Sequence, residues 1–229
     1  MSREILVVGG DVHFPFADPK AIKSFLKLIG DRKPDCVIIN GDLLDETSLS
    51  KFRRVPSNKG FLEEVKEGKE FLASLRKVAP NSDIRFVAGN HDLRGAKRLL
   101  DKLPELYGIL NLGELLGCEN QGIAFIEDVE KDCETQWKDV LIGHYDVCRK
   151  LAGQTAQALL QDSDFNVIQN HVHRLAVVYR RRGERQLWAA EAGCLCSLEP
   201  DYKRRPDWCQ GAIVVEWDGK RSEPTPIRF

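Results

Sequence analysis

All five histidines of this 229-residue chain stand in short motifs beside acidic, amide or glycine residues, and none is left over. In order the motifs are Gly10-Asp11-Val12-His13, Gly89-Asn90-His91-Asp92, Gly143-His144 and Asn170-His171-Val172-His173. Between the first two lies Gly41-Asp42-Leu43-Leu44-Asp45, which adds carboxylates without histidine. Carboxylate, amide oxygen and imidazole together make a ligand set for two neighbouring divalent ions. Such a pair answers both difficulties of phosphate-ester hydrolysis: it neutralises the phosphoryl charge and lowers the pKa of a water to near neutrality. Asp11 and His13, two apart in a loop, suit one ion, and Asp42 on its glycine turn suits a bridge. Asn90 offers an uncharged oxygen where a further carboxylate would over-neutralise the pair, and His144, His171 and His173 complete the set. The alternation His171-Val172-His173 lets both rings point the same way.

These residues need elements to bring them together. Apolar runs at 5–9, 36–40 and 84–88 read as buried strands, each running into a motif. Asp18-Pro19 opens a helix through Ala21, Ile22, Phe25, Leu26 and Ile29, and residues 59–78 make a longer amphipathic helix stopped by Pro80. Strand, helix, strand, helix, strand predicts a parallel sheet in this half. After a helical or irregular stretch at 94–116, short strands follow at 123–127, 140–142, 167–169, 175–179, 186–190 and 212–216, with one helix at 149–160. This pattern predicts an α/β fold with two sheets packed face to face and helices outside. No Pro/Gly/Ser-rich linker divides it, so residues 1–229 read as a single domain. Ligands of open α/β sheets bind at the carboxyl ends of strands, so all five motifs are expected at one rim.

Composition excludes several alternatives. A net charge of −1 gives no bulk attraction to nucleic acid or membrane, so polyanion binding requires local patches. No apolar run approaches the roughly 18 residues of a membrane-spanning helix. The apolar run near the N-terminus is short and ends in a motif, so it reads as a strand and not as a signal peptide. The seven irregularly spaced cysteines read as buried or idle thiols of a reducing cytoplasm. Cys194-Leu195-Cys196 is too tight for a zinc knuckle and is expected in the core.

In order and spacing the motifs resemble the hallmark of the calcineurin-like metallophosphoesterase superfamily: D-x-H, G-D-x-x-D, G-N-H-D/E, G-H and G-H-x-H. The resemblance covers residues 11–173 and implies a four-layer α-β-β-α sandwich of two mixed sheets flanked by helices. It implies that Asp11, His13 and His173 hold a first metal, that Asn90, His144 and His171 hold a second, and that Asp42 is shared. Manganese or iron is the expected pair, with zinc or nickel as alternatives. By the same resemblance His91 contacts the phosphate and helps the leaving oxygen depart, and Asp45 orients His91. Attack by hydroxide held on the metals, in line with the leaving group, is the implied mechanism. Three positions depart from the pattern. Asn170 stands where glycine is usual, at a turn expected to need positive φ, and Phe14 and Glu46 depart from the protein serine/threonine phosphatase branch.

The expected substrate is a phosphate ester, a phosphodiester before a strict monoester, and a nucleotide or nucleic acid is among the choices. Arg94 is either a clamp for the substrate phosphate or a solvated first-turn residue, and Arg174 is a weaker candidate of the same kind. Arg53-Arg54, Arg180-Arg181-Arg182 and Lys203-Arg204-Arg205 would together form a nucleic-acid path in a nuclease reading. A non-catalytic scaffold retaining the fold is the remaining alternative.

Overall fold

The computed structural model describes residues 3–49, 60–109, 111–200 and 206–229. Strand β1 (Glu4–Gly9) leads to helix α1 (Pro19–Arg32), then β2 (Cys36–Asn40), α2 (Phe61–Val78) and β3 (Asp83–Val87). Helices α3 (Arg94–Lys102) and α4 (Leu112–Leu116) precede β4 (Ile123–Ile126), β5 (Glu134–Trp137) and β6 (Val140–Gly143). Then come α5 (Gln154–Asp162), β7 (Asn166–Gln169), β8 (Leu175–Arg182), β9 (Arg185–Ala192), β10 (Gly211–Trp217) and β11 (Ser222–Arg228). One sheet has the order β11-β10-β1-β2-β3-β4 and the other β5-β6-β7-β9-β8. Both are mixed: β1 to β4 pair in parallel, as do β6, β7 and β9, while β10, β11, β5 and β8 pair antiparallel with their neighbours.

The layering follows from side-chain alternation. In β1, Val7 packs with the helices, against Phe25, Ile29, Leu72 and Leu75, while Leu6 and Val8 face the second sheet. Val37 and Ile39 against Cys36 and Ile38 repeat this in β2, and Ala212 and Val214 against Ile213 and Val215 repeat it in β10. From the second sheet Ile142, Ile168, Trp188 and Ala190 enter the same inter-sheet core, whereas Val167, Leu187 and Ala189 turn outward to Ala156 and Leu160 of α5. Helices, sheet, sheet and helix are therefore the four layers. Period-two strands buried on both faces require this arrangement.

Helix α1 begins where expected: the Asp18 carboxylate accepts from the Lys20 and Ala21 amides, with Pro19 in the first turn. Two strands were not expected. β11 carries Pro224 and Pro226, which are tolerated because β11 is an edge, paired only to β10 among the described strands. β5 is a short, polar edge strand without an apolar run. The helix expected at 149–160 starts only at Gln154, after Gly153 at φ +81°. Its first turn is capped from afar by the buried Glu191 carboxylate, which accepts from the amides of Gly153, Thr155 and Ala156. Among the described residues no helix is long and apolar enough to cross a membrane.

Candidate metal centre

Each motif begins where a parallel strand ends: Asp11 after β1, Asp42 after β2, Asn90 after β3, His144 after β6 and His171 after β7. Backbone hydrogen bonds join the loops. Asp11 donates to Gly41 O (3.0 Å), Val12 and His13 donate to Asp42 O (2.9 Å each), and Phe14 donates to Leu43 O (3.0 Å). Side chains link the two sheets: Asn40 Nδ2 donates to Gly143 O (2.9 Å) and Asn170 Oδ1 (3.0 Å), and the His171 amide donates to Asp11 Oδ2 (2.9 Å). Two glycines make this approach possible. A Cβ on Gly41 would lie 2.0 Å from His144 Nδ1, and one on Gly89 would lie 2.2 Å from Asp42 Oδ1. The chain holds Asp11, His13, Asp42, His171 and His173 at positive φ (49°, 52°, 51°, 76° and 59°). Non-glycine residues in this region carry strain that surrounding structure must impose, and strain of this kind clusters at functional sites.

The structure brings all seven expected ligands to one rim. Nε2 of His13 and Nε2 of His173 are 3.1 Å apart, and they lie 3.8 and 3.5 Å from Asp11 Oδ1. Asp42 Oδ2 lies 3.2 Å from His144 Nε2 and 3.6 Å from His13 Nε2, so it stands between two groups of donors. Asp11, His13 and His173 form one cluster with ligand atoms all within 4.8 Å, and Asp42, His144 and His171 form another. Asn90 Oδ1 joins the second at 3.0 Å from His171 Nδ1. Asp11 Oδ1 and His144 Nε2 are buried without a hydrogen-bond partner. Orphaned polar atoms of this kind, converging with oxygen and nitrogen donors, fit divalent cations.

Electrostatics within the cluster are strong. Burial alone would raise Asp11 and Asp42, but His173 beside Asp11, and His144 and His91 beside Asp42, hold both well below the usual carboxylate range. Burial lowers His13 and His144, yet Asp11 and Asp45 push His13 up and Asp42 takes His144 to about 9. Burial wins at His171 and His173, which stay below the ordinary value and so present neutral rings.

His91 lies outside both clusters, with Nε2 3.9 Å from Asp42 Oδ2. Its Nδ1 faces Asp45, 3.1 Å from both Oδ1 and the backbone oxygen, while the same Oδ1 accepts from His13 Nδ1 at 3.0 Å. Asp45 therefore fixes two rings. Arg94 donates from Nη1 to Asp45 O (2.6 Å) and sets Nη2 2.9 Å from His91 Nε2, which places it at the rim beside that ring.

Several residues at the site were not foreseen. Asp92 is buried and accepts from the amides of Leu43, Leu44 and Gly89, tying the second motif to the third. Its only signal was its place in Gly-Asn-His-Asp. Asn40, an amide ending an apolar strand and buried in the structure, is a stronger signal. Asp146 Oδ1 lies 3.3 Å from His171 Nε2. Asn170 is not at positive φ; His171 and His173 are. Its side chain is the feature that matters, donating to Asp11 Oδ2 (3.3 Å) and Gly193 O (3.0 Å). Arg174 is no clamp for substrate: it is buried, donating to the carbonyls of Arg149 and Lys150 and pairing with Asp207 at 2.6 Å.

Of the basic runs, 53–54 and 203–205 lie outside the described residues. Arg180 and Arg182 donate to carbonyls of Leu160, Gln161 and Ser163 at the end of α5. Strand β8 carries them away from His173 by its eight residues, about 25 Å at the rise of a strand.

The family model for calcineurin-like phosphoesterases matches residues 5–202 of the chain. The "Gene 54 protein" of Mycobacterium phage D29 is 28% identical, over 98% of this chain and 92% of its own length. Its counterpart in Mycobacterium phage L5 is 27% identical over the same shares. Among solved structures, Vacuolar Protein Sorting 29 from Cryptosporidium parvum matches with 15% identity and a TM-score of 0.49, over 99% of each chain. A single mutant of Vps29 from Entamoeba histolytica matches with 15% identity and a TM-score of 0.46, over 98% of this chain and 99% of the other.

Proposed function

Because the chain belongs to the calcineurin-like phosphoesterase family, we propose that it is a dinuclear metal-dependent phosphodiesterase. The observation that carries this reading is the convergence of two donor clusters with Asp42 Oδ2 between them, 3.2 Å from His144 and 3.6 Å from His13. Asp11, His13 and His173 would hold one ion, Asn90, His144 and His171 the other, and Asp42 would bridge. When bound, the pair supplies positive charge for the phosphoryl oxygens and a water of lowered pKa; manganese or iron is the proposed metal.

The chain's own groups do the rest. Asp45 orients His91 through Nδ1; Nε2 accepts from Arg94 in the free site, and once Arg94 turns to the phosphate a protonated Nε2 would give a hydrogen bond or proton to the departing oxygen. Arg94 rests against His91 Nε2 and is close enough to transfer its N–H donors to a phosphoryl oxygen. A cavity of about 450 Å³ beside Asn90 and His144, lined also by Leu93, Lys97, Lys131 and Asp146, supports a diester, because it gives the second substituent a place.

The test is hydrolysis of bis-p-nitrophenyl phosphate and p-nitrophenyl phosphate by metal-stripped protein, with manganese, iron, nickel, zinc and magnesium returned separately. Turnover is expected on return of metal, faster on the diester, and lost in Asp42→Ala. No turnover of either ester with any metal, or full activity in Asp42→Ala, overturns the reading. A faster monoester overturns only the diester preference.

A further inference from the structure

Behind His173, on the face turned away from Asp11, lies a second donor set. Cys196 Sγ is 3.6 Å from His173 Nδ1, and Cys194, Cys196 and His173 offer ligand atoms all within 4.8 Å of one another. All three residues are buried. A metal-bound histidine ordinarily gives its far nitrogen to a carboxylate, carbonyl or water; here it meets sulfur.

The backbone explains why both sulfurs share one side. Leu195 is buried in the helix-side core, so its two neighbours point the opposite way. The loop is also pinned. Leu195 N donates to Asp11 O (3.1 Å), Cys194 N to Cys209 O (3.1 Å), Gly211 N to Cys194 O (3.2 Å) and Cys209 N to His173 O (2.8 Å). Trp208 packs over His173 with ring centroids 4.2 Å apart. The donors are thus held in place before any ligand arrives.

We propose that Cys194, Cys196 and Nδ1 of His173 form a site for a thiophilic d10 ion such as Zn²⁺ or Cd²⁺, separate from the oxygen-rich centre and antagonistic to it. Tetrahedral Zn²⁺ with bonds of about 2.3 Å to sulfur and about 2.0 Å to nitrogen sets the two donors about 3.5 Å apart, close to the 3.6 Å between Cys196 and His173. Thiolate ligands select soft ions, which the oxygen and nitrogen donors across the ring do not. Binding forms two metal–sulfur bonds and one metal–nitrogen bond, releases the two thiol protons to solvent and transfers no electrons. The neutral ring then carries its proton on Nε2, the nitrogen that faces Asp11. His173 therefore serves one site at a time, and each ion weakens the other by the same factor.

The experiment titrates the reduced, metal-stripped 229-residue chain with Cd²⁺ alone, following the ultraviolet thiolate-to-cadmium charge-transfer band. One equivalent should develop the band with release of two protons. The band should persist in Cys148→Ser, which removes the exposed thiol, and disappear in Cys194→Ser/Cys196→Ser. No band in the wild-type protein overturns the proposal however the variants fold, and leaves Cys196 only as a hydrogen-bond partner of His173. A band unchanged in the double variant also overturns it. Prior saturation with Mn²⁺ should weaken Cd²⁺ at least tenfold. This arm alone rests on the placing of His173 at the first ion, so a band without competition sinks the antagonism and keeps the site.

Discussion

His91 is fixed from two sides, by Asp45 at Nδ1 and by Arg94 at Nε2, yet it belongs to neither donor cluster. In the proposed assignment it acts on substrate and not on metal, although His13, Asp45 and His91 form a donor group of their own. His91→Ala should lower kcat by about 10²–10⁴-fold, the usual worth of general acid catalysis, while the protein still binds its full complement of manganese. Loss of a metal equivalent, or kcat within tenfold of wild type, would refute that role. Asp45 differs because it also holds His13 at 3.0 Å. Asp45→Asn should therefore slow turnover and also weaken one manganese by roughly 10–100-fold, as loss of a partner behind a ligand does; isothermal titration separates the two effects. At this scale the residues that converge at the rim were legible because acid, amide and imidazole recur in fixed order after apolar runs. Asn170 and Arg174 were misjudged for a common reason: what each side chain bonds to lies far along the chain, at Asp11 and Gly193 for one and at Asp207 for the other.

Among elements, the joint where the loop after β2 meets α2 and α3 is acidic and buried. Glu46 gives its amide to Glu64 and accepts from the Gly95 amide at the start of α3, each at 2.7 Å. Burial, then Asp92 nearby, pushes Glu46 from 4.5 up to about 9, and burial takes Glu64 to about 7. A raised folded-state pKa means the folded chain binds the proton more tightly. The stability this contributes is complete below pH 4.5 and is lost as pH rises toward 9. Glu46→Gln keeps an acceptor for Gly95 and cannot ionise. It should be more stable than wild type at pH 8 by up to about 5 kcal/mol, with the gap closing toward pH 4.5. Urea melts across that range check it, and a gap constant with pH would show that Glu46 does not titrate with folding. Central strands and long helices were legible because period-two and period-3.6 patterns survive burial. Two of the four edge strands left no pattern: β5 buries too little to show one, and the prolines of β11 break it. The start of α5 was misplaced because Glu191, far along the chain, caps it.

Across the whole molecule, the donors divide between the sheets: Asp11, Asp42 and Asn90 follow strands of one, and His144, His171 and His173 follow strands of the other. In the proposed assignment each ion draws on both sheets, so binding would fasten the inter-sheet core at its rim. It would also satisfy the orphaned Asp11 Oδ1 and His144 Nε2 and offset the strain of five left-handed residues. Ions that bind only the folded chain stabilise it by about 2.7 kcal/mol per site at a hundredfold excess over Kd. For a chain of this size each kcal/mol moves Tm by about 2–4 °C, so two sites should raise it by roughly 10–20 °C over chelator-treated protein. His144→Ala removes a donor from one cluster only and should keep about half of the rise. Asp42→Ala takes the bridging oxygen from both and should keep much less. Saturating manganese that leaves Tm within 2 °C of the stripped protein would mean that the donors do not clamp the sheets together. Equal losses in the two variants would mean that Asp42 is not shared.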